Sequence, residues 1–152
     1  MPIKSFRGKT TSGSIDTVAL HTNTGSTGYR IKHFQVIGAD IFGGSSSELV
    51  VKIYSVPQDT ATATIDFSDN TLLGVATYSS HDNGHQYPED QTVIFDNAVF
   101  NQDIFITTLC KQGNAGNYYI ELEQVKLDLN ENTVATLKDI RNIESQWANN
   151  IL

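Results

Sequence analysis

Residues 118–127 read Tyr118-Tyr119-Ile120-Glu121-Leu122-Glu123-Gln124-Val125-Lys126-Leu127, and their alternation decides the fold class. Tyr118, Ile120 and Leu122 fall on one side of an extended chain, Tyr119, Glu121 and Glu123 on the other. That period of two belongs to a strand with one buried face. The apolar set then moves from even to odd positions at Val125, Leu127 and Leu129. Side chains of a strand alternate strictly, so the change predicts a β-bulge or a break near Glu123 and Gln124.

Working outward, the same chemistry recurs along the chain. Runs of β-branched and aromatic residues, separated by Gly, Asn, Asp and Ser clusters, predict strands over 3–7, 15–21, 29–37, 49–56, 72–78, 92–95, 104–109 and 118–127. Leu49, Val51 and Ile53 again share one face. With no helical crossover between them, such strands favour an all-β antiparallel β-sandwich or jelly-roll-like domain over a parallel sheet. Three connections are rich in Gly, Asn and Ser and read as candidate contact loops: Thr22 to Gly28, Gly38 to Ser47 and Ser79 to Asp90, the last with His85 and Tyr87.

After Leu129 the period changes. Val134, Leu137, Ile140, Ile143, Trp147 and Ile151 recur at steps of three or four, along one stripe of an amphipathic C-terminal α-helix that Asn130 or Asn132 caps. The expected organisation is a β-sandwich domain over 1–129 and a helical arm over 130–152. The stripe needs a cover, either its own sandwich or a neighbouring subunit. These six apolar residues are the candidate partner-binding set.

Composition bounds the function. The 152 residues suit one core, and 39% hydrophobic against 18% charged residues describes neither a disordered tail nor a membrane protein. Ten Lys and Arg stand against 17 Asp and Glu, a net charge of −7, which disfavours nucleic-acid phosphates and anionic lipid as partners. The lone Cys110 closes no internal disulfide and reads as a small buried hydrophobe. No leader-like segment or membrane-length apolar run is present, so the chain is expected to be made in the cytosol.

No constellation for catalysis emerges. His81 and His85 flank Asn83-Gly84, which interrupts the helix that a zinc pair would use. His21 and His33 lie in strand-like segments and are expected to be hydrogen-bonded, partly buried imidazoles. Carboxylates pair at Asp66 and Asp69, Glu89 and Asp90, Asp96 and Asp103, and Glu121 and Glu123. Adjacency on a strand does not supply the separation that glycoside hydrolysis needs, and Asp66 with Asp69 lacks the EF-hand spacing. Glu121 and Glu123 are expected to face solvent or a basic partner, and Lys4, Arg7 and Lys9 an acidic neighbour. The chain is read as a non-enzyme without cofactor or metal.

Several phrases carry a resemblance: residues 1–8 (MPIKSFRG), 28–31 (GYRI), 51–54 (VKIY), 66–69 (DFSD), 94–97 (IFDN), 101–104 (NQDI), 117–123 (NYYIELE) and 135–139 (ATLKD). Through them the chain resembles a group of short virion structural proteins of marine tailed bacteriophages that infect cyanobacteria and related ocean bacteria. The resemblance implies a bacteriophage virion component without catalytic residues. A capsid decoration or cement protein is expected, binding the major capsid protein or other virion proteins as repeated copies. A tail- or fibre-associated protein contacting the host surface is the alternative.

Overall fold

The computed structural model describes residues 2–22, 25–40, 46–80 and 90–127. The predicted helix, with Val134, Leu137, Ile140, Ile143, Trp147 and Ile151, lies outside these residues, as do His81, His85 and Tyr87.

Among the described residues the chain is all-β, with eight strands: β1 (Ile3–Thr10), β2 (Ile15–Val18), β3 (Thr27–Gly38), β4 (Ser47–Tyr54), β5 (Leu72–Ser80), β6 (Asp90–Phe95), β7 (Ile104–Cys110) and β8 (Gly116–Lys126). Each predicted run overlaps one of them. They form two antiparallel sheets, a three-stranded β1-β8-β3 and a five-stranded β2-β7-β4-β5-β6. The alternating segment 118–127 supplies most of the central strand of the smaller sheet. Its even residues Tyr118, Ile120 and Leu122 point into a core shared by both sheets, against Leu49, Val51 and Ile53 of β4 and Ile104 and Ile106 of β7. Each such side chain contributes roughly 1.5–3 kcal/mol on burial.

Side chains also tie the two sheets together. The Thr10 and Thr108 hydroxyls meet at 2.7 Å, joining β1 to β7, and the Tyr118 hydroxyl donates to Asp16 Oδ2 at 3.4 Å. Burial pushes the Tyr118 phenol up, and the Asp16 carboxylate pushes it further the same way. Gly38 and Gly116 mark where side chains of the larger sheet come closest to the smaller one. A Cβ at Gly38 would stand 3.0 Å from the Tyr78 ring, and one at Gly116 2.9 Å from a Leu49 methyl.

The bulge expected near Glu123 and Gln124 of β8 is absent, and one lies in its neighbour β3 instead. β8 runs without interruption along β1, and its ladder with β3 shifts between the pairs Ile31↔Leu122 and His33↔Glu121. The extra residue is Lys32 of β3, not Glu123 or Gln124 of β8. β3 therefore buries odd residues before the bulge, Tyr29 and Ile31, and even ones after it, Phe34 and Val36. Lys32 itself is exposed, and its Nζ lies 3.5 Å from Glu123 Oε2.

The outer face of the larger sheet is also apolar, with Tyr54, Leu72 and Val75 clustered beside Val50 and Phe105. Lys52 is buried on this face. Its ammonium donates to Thr62 Oγ1 at 2.9 Å and to the Thr64 carbonyl at 2.7 Å, and stands 5.5 Å from the centre of the Tyr54 ring. Lys52 thus ties the segment 55–71 onto the sheet. Burial lowers its pKa, and the Asp69 carboxylate partly opposes that shift.

Asp103 closes one end of the larger sheet. Its Oδ1 accepts from the Leu20 and His21 amides at 2.8 and 3.0 Å and lies 2.7 Å from His21 Nδ1. Burial pushes the carboxyl up, but the hydrogen bonds from His21 and Leu20 outweigh it and hold the pKa below the usual range. A depressed carboxylate pKa adds stability that is full above the unfolded value, near 4, and lost as pH falls through the folded one. Asp103→Asn is expected to cost about 1–2 kcal/mol at neutral pH and to flatten the acid limb of stability below about pH 4. Urea titrations at several pH values check both.

Candidate functional site

The carboxylate pairs are mostly engaged in local structure. Asp66 Oδ1 accepts from the Ser68 amide and hydroxyl at 2.9 and 2.5 Å, and Asp69 Oδ1 from those of Thr71 at 2.9 and 2.6 Å. Asp96 accepts from the Asn97 amide at 2.9 Å, while Asp103 holds the chain after β2. Glu123 does face basic groups, but of its own chain: Arg30 Nη2 donates to it at 2.9 Å with Lys32 beside it. The hydrogen bond from Arg30 is the main reason the Glu123 carboxyl sits below its usual range. Among the described residues no three His, Cys, Asp or Glu side chains form a metal-holding group. Cys110 is buried.

Both described histidines are more exposed than expected, although His21 is hydrogen-bonded and His33 lies in a strand. β2 ends at Val18, so His21 lies beyond it and is exposed beside Asp103. His33 follows the bulge, which turns it outward. It meets Tyr119 edge-on, with ring centroids 6.0 Å apart.

Among the described residues, two surfaces group side chains that the fold leaves in solvent. The first lies where the segment before β5 meets the end of β6. Phe67 is 67% exposed, Ile94 50% and Phe95 37%. Together with Leu72, Asp69 and Asp96 they line a depression of about 490 Å³. β6 is an edge strand, and alternation places Ile94 on the outer side of its sheet. Asp66 lies next to Phe67, its carboxyl held below the usual range by the Ser68 hydroxyl and amide. The result is an apolar patch with an acidic rim. Exposed aromatic and aliphatic side chains grouped in this way are the ordinary mark of a protein-contact surface.

The second surface is the outward face of the smaller sheet. Register sets Arg7, Tyr119 and Gln35 side by side across β1, β8 and β3, and the next row holds Lys9, Asn117 and Ile37. These six residues line a cleft of about 670 Å³, with Gln91 of β6 at its side. Tyr119 is 38% exposed. Arg7 and Lys9 share this face, whereas Lys4 belongs to the opposite parity. Sequence alternation alone put Tyr119 outward with Glu121 and Glu123. The company it keeps across the strands appears only once the register is known.

Neither a family model nor a curated protein matches this chain. The geometry of the two surfaces is therefore the basis for a functional reading.

Proposed function

We propose that this chain is a non-enzymatic virion structural protein, a capsid decoration or cement protein that stabilises a bacteriophage head. In this reading the two sheets form a β-sandwich of jelly-roll type, and the segment 130–152 is a helical arm whose stripe from Val134 to Ile151 docks on a neighbouring subunit. The observation that carries the reading is the acid-rimmed apolar patch at Phe67, Ile94 and Phe95. Such a surface suits an apolar and basic area on the major capsid protein or another virion protein. The phrase-level resemblance described above supports the same role. A protein that binds only the assembled shell shifts the equilibrium away from free subunits, so stabilisation follows from mass action. Many symmetry-related sites let a modest contact act repeatedly.

The test uses particles stripped of the protein and isolated protein added back. Phe67→Asp with Ile94→Asp changes exposed side chains, so each substitution is expected to alter fold stability by less than about 0.5 kcal/mol. Retention on sedimented particles is expected to fall about tenfold or more. Binding equal to that of the unaltered protein would remove the patch from the contact.

The second reading, a tail- or fibre-associated protein contacting the host surface, is favoured by the cleft around Tyr119. Copy number separates the two: tens to hundreds per particle for a head protein, near six or twelve for a tail component.

A further inference from the structure

The cleft on the smaller sheet has a chemistry that the particle contact does not use. Its floor is one exposed aromatic ring, flanked by the guanidinium of Arg7 and the amide of Gln35 in the same row, with Lys9 and Asn117 in the next. Among the described residues none of the Arg7, Lys9, Gln35, Gln91 or Asn117 side chains has a hydrogen-bonding or ionic partner. Of the outward carboxylates of β8, Glu123 is held by Arg30 and Lys32 farther along the sheet, and Glu121, one row from Tyr119 beside Ser5 and His33, forms no ion pair with Arg7 or Lys9. Among the described residues these two cations thus have no ion-pair partner, on a chain whose net charge is −7.

Each group fits one part of an acidic sugar. A flat phenol ring packs on the apolar face of a pyranose, and its edge-on contact with His33 limits its rotation. Side-chain amides offer a donor and an acceptor together, matching the paired character of vicinal hydroxyls. A guanidinium binds a carboxylate through two parallel hydrogen bonds, and a nearby ammonium adds charge without demanding geometry. A single stacking ring and three amides suit a sugar chain better than a run of nucleobases, which uses successive aromatic platforms on a continuous basic track.

We infer that the Arg7–Tyr119–Gln35 face binds an acidic oligosaccharide bearing uronate carboxylates, with one ring stacked on Tyr119 and its carboxylate held by Arg7 and Lys9. This holds whether the copies sit on a head or a tail, and it does not rest on the particle reading.

The isolated full chain is titrated calorimetrically with tetramannuronate, with neutral mannotetraose and with octathymidylate. Saturable binding of the uronate is expected, weakening with added salt, with mannotetraose at least about tenfold weaker for want of the charge pair. Tyr119→Ala should weaken uronate binding about tenfold or more, while Tyr119→Phe keeps most of it because the stacking face remains. Arg7→Gln with Lys9→Gln should abolish the preference for the acidic sugar over the neutral one. No uronate binding up to about 5 mM, equal binding of the neutral sugar, tighter binding of octathymidylate, or an unaffected Tyr119→Ala would each overturn the inference. Particle retention of the Tyr119→Ala protein, measured alongside, should stay unchanged, so a failed sugar site and a failed particle contact are told apart.

Discussion

Deletion of Lys32 is expected to cost the domain about 3–6 kcal/mol, although replacing the same side chain by alanine should cost less than about 1 kcal/mol. The difference isolates the backbone from the side chain. Lys32 is exposed, and what its side chain offers is a surface ion pair to Glu123. Its backbone is the extra residue that lets Tyr29 and Ile31 on one side, and Phe34 and Val36 on the other, all reach the core. Without it, strict alternation turns one of those pairs to solvent, forfeiting the burial of two large side chains. Small domains have total stabilities of roughly 5–15 kcal/mol, so the deletion would remove a large share of the stability. Urea denaturation of the two variants measures the contrast. A deletion variant as stable as the parent would mean that β3 has no bulge.

Lys52→Ala is expected to destabilise by about 2–4 kcal/mol, as the truncation of a long buried side chain does. Two effects combine in it. The side chain of Lys52 is buried on the face that carries Tyr54 and Val75, the ladder partner of Lys52, and its ammonium satisfies the Thr64 carbonyl and the Thr62 hydroxyl. Lys52→Met separates them. It restores most of the packing and removes a charge whose burial is unfavourable, so its cost should be smaller, about 1–2 kcal/mol. Both variants lose the tether, so proteolysis and amide exchange within 57–70 should quicken in both, whatever their global stability. If Lys52→Met left that segment as protected as before, the ammonium would not be what holds it.

The eight strands were legible because β-branched and aromatic runs between turn clusters state local preference and burial together. Sheet order was not, since β1 with β8 and β2 with β7 join residues about a hundred positions apart. The parity change along β8 accompanies the end of that strand at Lys126, with Leu127 buried beyond it, and not a bulge within it. The shift from Ile31 to Phe34 is written in β3 as plainly as the shift after Leu122 is written in β8. Only the pairing shows that β3 holds the extra residue. Along β8, Gln124 keeps the regular register opposite Tyr29, and Leu127 is buried just after the strand ends, close to Gly28.

The surfaces were less legible than the strands. Phe67, Ile94 and Phe95 look like core residues in a list, because hydrophobicity does not reveal whether a strand lies at an edge or a segment crosses a sheet. Lys52 looks like a solvent-facing residue for the converse reason: nothing local announces that 55–71 folds over it. Arg7 and Tyr119 are each visible as outward residues of their strands. Their meeting is a property of the β1–β8 register.

The most direct test of the proposed role is the number of copies in the intact particle, counted by quantitative mass spectrometry of purified virions and located by electron cryomicroscopy. A decoration or cement protein should be present at tens to hundreds of copies, with the Phe67, Ile94 and Phe95 patch against the shell. A count of six or twelve, density confined to the tail, or absence from the particle would contradict it.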